Sequence, residues 1–158
     1  MKVAAIIKKI SIIIVVAAIT AFIIYQKNKP VPTLITWQTL AQVKLKPTWY
    51  APYNTDVNVP VFSDTLKKLN GQQVEITGFY IPMAMNSDKC ALSKNPNSTC
   101  FFCGGSTVET IMMVNFKSKM MDFSDDAVIT LEGKLSLDTI FNEFFYTLKD
   151  ARYIRSNK

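Results

Sequence analysis

The chain has 158 residues, enough for one small domain and a terminal extension but not for two full domains. Its formal net charge is +6, but five of the 18 basic residues and none of the 12 acidic ones lie in residues 1–29. The rest of the chain is nearly neutral, which excludes nucleic-acid binding on grounds of charge.

The first 29 residues have the pattern of a signal anchor. A run of 16 uncharged residues, Ile10–Tyr25, lies between lysines at positions 2, 8 and 9 and lysines at positions 27 and 29. As a helix the run is about 24 Å long, a little less than the ~30 Å hydrocarbon core. Because it ends without the small residues of a cleavage site, we predict an uncleaved transmembrane helix rather than a removed secretory signal. The chain would then cross the inner (cytoplasmic) membrane once, with its C-terminal domain extracytoplasmic.

Residues 30–60 are predicted to be a tether with a first docking segment, since prolines stand at positions 30, 32, 47, 52 and 60. Within it, residues 34–45 fit either a strand or a short helix. In both cases Trp37 and Leu40 are the residues expected to dock on the domain that follows.

Residues 62–71 predict one short helix. Ser63 is suited to cap its N-terminus and Asp64 favours its first turn. Gly71 is suited to end it.

Four later segments are rich in strand-forming residues. The first of them alternates cleanly, with Val74 and Ile76 on one face and Glu75 and Thr77 on the other. In the third, Gly133 predicts a bulge or kink. The four segments are residues 72–83, 108–116, 127–137 and 143–154.

Four or five strands with one or two short helices predict a mainly β domain over residues 61–155. Its expected form is a small antiparallel OB-like barrel or curled sheet, preceded by the N-terminal transmembrane helix. The longest irregular stretch, residues 84–100, ends on a pair of cysteines. Long loops on small barrels frequently carry function.

All three cysteines, Cys90, Cys100 and Cys103, lie within 14 residues and are treated as one unit. Disulfides persist in an exported domain, and an odd number of cysteines leaves one thiol over. By loop entropy a Cys100–Cys103 bond contributes about 1.9 kcal/mol, against about 3 kcal/mol for a Cys90–Cys103 bond. Stability alone therefore favours the longer bond, so the adjacent pair is explained by chemistry or by the pinning of a local turn.

Metal binding is the first chemical interpretation, because a Cys-x2-Cys turn directs two sulfurs at one point. Cys100 and Cys103 would be the primary ligands, Cys90 a third sulfur, and Glu109 or Asp88 an oxygen ligand. The chain contains no histidine, which excludes His-ligated zinc, type 1 copper and histidine acid–base catalysis. Zinc or copper(I) held by thiolates remains.

Redox exchange is the second chemical interpretation and the weaker one. A reactive Cys-x2-Cys pair usually opens a helix, whose N-terminus lowers the thiol pKa. Here Gly104, Gly105 and a strand-rich stretch follow the pair, and the βαβ pattern of a thioredoxin-like fold is missing from the sequence.

Several stretches resemble a family of bacterial exported proteins of unknown function. The specific ones are GFYIP, residues 78–82, and CFFCGG followed by VET, within residues 100–110; generic ones lie at 37–43, 60–62, 128–137 and 146–151. The resemblance covers about residues 37–151. It implies a membrane-tethered or secreted accessory domain, with some relatives beside ABC-type transport systems and connected with metal handling.

Some relatives carry Cys-x-His in this turn. Because this replaces one possible metal ligand with another, the resemblance favours a metal over a disulfide at Cys100 and Cys103. In this chain Cys90 replaces the strand-like segment that the family has before the turn.

The sequence thus predicts a non-enzymatic, membrane-anchored accessory domain that binds a metal ion or a protein partner through Cys100 and Cys103. Its partners would be the membrane, through the N-terminal helix, and a membrane transporter or another protein. The alternatives are a structural or assembly protein with an inert Cys100–Cys103 disulfide, and a thiol–disulfide oxidoreductase.

Overall fold

The computed structural model describes residues 14–23, 31–83, 88–96, 107–118, 123–138 and 144–156. The chain forms two compact units, Met1–Val31 and Pro32–Lys158. In the first unit, residues 14–23 form a helix, α1, whose apolar side chains are exposed. No helix of the described residues is long and apolar enough to cross a membrane, and the rest of the predicted anchor lies outside those residues.

The second unit is built mainly from strands. Its elements in chain order are β1 (Thr33–Leu34), α2 (Trp37–Leu40), β2 (Lys44–Tyr50), β3 (Thr55–Val61), α3 (Asp64–Leu69), β4 (Gln73–Pro82), β5 (Lys89–Ser93), β6 (Ile111–Phe116), β7 (Val128–Leu137) and β8 (Tyr146–Ser156). Two short 3-10 turns, Ala51–Tyr53 and Val108–Thr110, precede β3 and β6.

Five of these strands close into a barrel. They pair in the order β4, β5, β6, β8 and β7, and β7 pairs back with β4. Strands β6 and β8 run parallel, the other four barrel pairings are antiparallel, and β1 adds to β4 in parallel. The prediction of a mainly β, OB-like barrel is therefore confirmed.

Strand β4 shows why the barrel closes. Val74 and Ile76 are fully buried, whereas Glu75 and Thr77 are partly exposed, as the alternating sequence predicts. The first part of the strand pairs with β7 and its last four residues pair with β5. One long strand thus belongs to both sides of the barrel.

The predicted bulge at Gly133 is present. The β7–β8 register shifts there, and Asp150 in the facing strand has a positive φ of 53°. A Cβ atom on Gly133 would lie 2.8 Å from the Leu148 Cγ and 2.9 Å from the Lys149 carbonyl oxygen. Residue 133 therefore has to be glycine for the two strands to approach as they do.

The predicted helix after β3 is confirmed as α3. The Ser63 Oγ accepts a hydrogen bond from the Leu66 amide at 3.3 Å, which caps the helix, and Asp64 lies in its first turn. Leu66 is fully buried, and Gly71 follows the helix with a φ of +79°.

Helix α2 docks on the barrel through two long-range hydrogen bonds. The Trp37 Nε1 donates to the Thr77 carbonyl oxygen at 2.8 Å, and the Tyr146 hydroxyl donates to the Leu40 carbonyl oxygen at 2.6 Å. Leu40 and Tyr146 are both fully buried. Trp37 and Leu40 are thus the docking residues, as predicted.

Three strands, β2, β3 and β5, differ from the prediction. The predicted tether contains a regular hairpin, β2–β3, because its internal prolines occupy edge positions that need no ladder donor. The stretch predicted to be irregular contains β5, whose Ala91 and Ser93 have weak strand propensity. Pairing with β4 on one side and β6 on the other overrides that propensity.

Candidate functional site

The connection between β5 and β6 is a loop whose two ends are held together. At the end of the ladder, the Lys94 amide donates to the Thr110 carbonyl oxygen at 2.9 Å. The chain therefore leaves the barrel after Lys94 and returns to it at Thr110, at one place. Cys100 and Cys103, the predicted primary ligands, lie between these two ends in the sequence and outside the described residues.

Local hydrogen bonds order both ends of this loop. On the N-terminal side, the Oγ of the buried Ser93 accepts from the Asn95 amide at 3.1 Å. On the C-terminal side, the amide and hydroxyl of Thr110 donate to the Thr107 carbonyl oxygen at 2.8 and 2.7 Å. The cysteine pair is thus flanked on both sides by backbone in defined positions.

Glu109, the predicted oxygen ligand, is at the C-terminal end of the loop. It lies in the 3-10 turn Val108–Thr110, is partly buried, and the turn packs against α2. Burial, and secondarily the negative charge of Glu109, raises the pKa of Tyr146. The Glu109 carboxylate is therefore close enough to the barrel core for its charge to act on the buried phenol.

Cys90, the predicted third sulfur ligand, is a core residue. It lies in β5 opposite Val114, is fully buried and is a free thiol. Burial raises the pKa of Cys90 from 9.0 to about 12, so the thiol is protonated at neutral pH. It is three positions before Ser93, or about 10 Å along the strand from the loop. Its environment is suited to packing rather than to metal ligation.

The other predicted oxygen ligand, Asp88, lies at the opposite end of β5. Its carbonyl oxygen accepts from the Phe116 amide at 2.8 Å, and it is about 16 Å along the strand from the loop. Within the described ranges, no three Cys, Asp or Glu residues lie close enough to hold a metal ion together. A metal site at this loop would therefore depend on Cys100 and Cys103.

One exposed surface of the structure is not among the sites predicted from the sequence. The hairpin β2–β3 exposes Leu45 at 45% and Trp49 at 59% of their surface. The signal for it is the spacing in KLKPTWY, where apolar or proline positions alternate with lysine or threonine from Lys44 to Trp49.

The solved structure of a DUF3299 family protein from Pseudomonas aeruginosa PAO1 is similar to the structure of this chain. The TM-score is 0.50 with 12% sequence identity, and the match covers 82% of this chain and 100% of that chain. No protein-family model matches the chain, and no curated protein matches it. At this level of identity the likeness concerns the fold alone, and the fold is shared with a protein whose family name denotes a domain of unknown function.

Proposed function

We propose that the chain is a membrane-anchored, non-enzymatic accessory domain that binds a metal ion through the thiolates of Cys100 and Cys103. The observation that carries this proposal is the burial of Cys90, which leaves two of the three cysteines for chemistry in the loop. A Cys-x2-Cys pair in a loop with fixed ends is suited to act as a thiolate knuckle.

Glu109 is the third ligand in this proposal. Zinc accepts thiolate sulfur and carboxylate oxygen together, whereas copper(I) is satisfied by the two soft sulfurs alone. Two sulfurs and one oxygen leave a fourth position around zinc for a water molecule or for a ligand from a partner protein. Such an open position suits a domain that passes a metal ion to a membrane transporter.

The anchor is supported by the character of α1. Residues 14–23 contain no charged residue, and Ile14 and Phe22 are exposed at 63% and 61%. A helix that is apolar on all sides is stable in a lipid or protein environment rather than in water. The lysines on either side of the apolar run are suited to lie at the two membrane surfaces.

Native mass spectrometry of the full chain, extracted in detergent under anaerobic conditions, tests the metal site. The proposal predicts one zinc or copper(I) ion per chain, removed by chelator and lost in Cys100→Ser and Cys103→Ser. Glu109→Gln should weaken zinc binding at least about 10-fold, because mutation of a group that only supports a ligand already costs that much, and it should leave copper(I) binding nearly unchanged. Cys90→Ala and Asp88→Asn are the matched controls, and each should bind like the wild type.

An inert Cys100–Cys103 disulfide is the second candidate, since the burial of Cys90 also leaves an even number of loop cysteines. It predicts a chain two mass units lighter than its reduced form, with no metal before or after chelation. That result would contradict the metal proposal. Equal loss of metal in Cys90→Ala and Cys100→Ser would contradict the assignment of Cys90 to the core.

A further inference from the structure

The hairpin β2–β3 is not part of the barrel sheet. Its seven residue pairs form a separate two-stranded sheet, and among the described residues neither strand pairs with a barrel strand. A lone hairpin in water is marginally stable at best. Its regular ladder and its exposed aromatic residue raise the question of what covers it.

The hairpin edges are poorly suited to accept another strand. Pro47 lies opposite Asn58, and Pro60 lies opposite Leu45, so both prolines are on the same face of an unbroken ladder. Proline has no N–H, so both must stand where a residue's N–H would point away from the partner strand. Each open edge therefore lacks one of the donors that an added strand would need.

The two strands differ in exposure. Strand β2 is exposed at every residue from Lys44 to Trp49, whereas β3 has a buried residue, Pro60, and two partly buried ones. Strand β2 is also the strand that carries Leu45, Trp49 and the two lysines. An occupant would therefore contact β2.

The hairpin face alone is too small to hold a second copy of the chain. Seven residue pairs in two strands cover about 23 Å by 10 Å, or roughly 230 Å² on one face. A stable interface buries about 800 Å² on each partner. A lipid surface has no such minimum, and it accepts tryptophan at the headgroup level with lysine beside anionic lipid.

We propose that strand β2 lies on an anionic lipid surface. The open edge of β2 faces the surface, so that Leu45 and Trp49 enter the interfacial layer from one face of the strand and the long side chains of Lys44 and Lys46 reach lipid phosphates from the other. Trp49 is two positions from Pro47, so its amide also points outward from the ladder and is placed to donate to a phosphate. This inference shares with the proposed function only the location at a membrane, and it is independent of the metal site.

Tryptophan fluorescence of the full chain in phosphatidylcholine nanodiscs, with and without phosphatidylglycerol, tests the inference. The chain has two tryptophans, and Trp37 is buried, so it serves as an internal reference. Lipids brominated in their acyl chains should quench emission in anionic discs, and Trp49→Phe should abolish that quenching. The quenching should fall at least twofold in discs without phosphatidylglycerol.

The double variant Lys44→Gln/Lys46→Gln should lower the quenching in anionic discs to the level of neutral discs. Lys67→Gln/Lys68→Gln, which removes two exposed lysines from α3, is the matched control and should leave it unchanged.

Three results would overturn the inference. The first is quenching of Trp49 by aqueous iodide but not by brominated lipid, and the second is quenching of Trp49 by neither, as when another protein covers it. The third is equal quenching by brominated lipid in neutral and anionic discs. A chain that elutes apart from the discs contradicts the anchor of the proposed function. The same quenching is then measured with vesicles of the same composition, which still decides for or against the lipid contact of β2.

Discussion

Replacing Tyr146 with phenylalanine removes one oxygen atom from the place where the last strand of the barrel meets helix α2. The Tyr146 hydroxyl donates to the Leu40 carbonyl oxygen at 2.6 Å, and both residues are fully buried. Leu40 is the last residue of α2, so its carbonyl has no donor within the helix. Among the described residues, no other donor reaches it.

The magnitude follows from these two facts. A buried neutral hydrogen bond contributes about 1 kcal/mol, and an unsatisfied buried carbonyl left behind costs about 1–3 kcal/mol. The ring itself is retained, so no cavity larger than one oxygen atom forms. We expect Tyr146→Phe to lower the free energy of unfolding by about 2 kcal/mol and the Tm by roughly 6–10 °C.

Urea unfolding followed by circular dichroism measures this difference, with an unchanged m-value as the check that the same surface is exposed on unfolding. Tyr153→Phe is the matched control on the same strand, because the Tyr153 ring packs on Phe123 at 5.1 Å but its hydroxyl has no hydrogen bond among the described residues. The control should change stability by less than about 0.5 kcal/mol. An equal, small loss in both variants would refute the assigned role of Tyr146.

Three further predictions concern the barrel. Gly133→Ala should destabilise the protein by about 1–3 kcal/mol in urea unfolding, because its Cβ would lie 2.9 Å from a backbone oxygen; a loss below about 0.5 kcal/mol would contradict the close approach. Asp150 has a positive φ, so Asp150→Gly should be more stable than Asp150→Ala by about 1 kcal/mol, and the reverse order would be inconsistent with that backbone. Burial raises the pKa of Cys90 from 9.0 to about 12, so the folded chain keeps a proton that the unfolded chain loses, and stability falls as the pH rises above 9. Between pH 9 and pH 10 the wild type should lose about 1 kcal/mol more than Cys90→Ala does, and parallel curves would show that the Cys90 thiol is not buried.

Much of the barrel could be predicted because its physical causes are local. Apolar and polar residues alternate along strand β4 because one of its faces is buried. The N-terminus of α3 is indicated by Ser63, whose hydroxyl caps it, and by the residues that follow. Gly133 inside a run of strand-forming residues correctly indicated a bulge. In each case the residues that indicate the feature lie within a few positions of it in the sequence.

The missed features depend on pairing between distant residues. Strand β5 has four consecutive buried residues, from Cys90 to Ser93, so it shows no alternation that a sequence pattern could reveal. Cys90 is close to the other cysteines along the chain, yet the ladder places it in the core. Prolines in β2 and β3 argued against strands, because nothing in the sequence shows that both occupy outward-facing edge positions.

The contact between Leu40 and Tyr146 joins residues that are 106 positions apart, and β7 must return to β4 before the barrel is closed. A topology with such a high contact order folds on a timescale of milliseconds to seconds rather than microseconds. During synthesis, helix α2 emerges before the barrel strands, and strand β8 emerges after the others. Helix α2 therefore has no complete binding site on the barrel until Tyr146 has been synthesised, so the domain can close only after most of its chain is present.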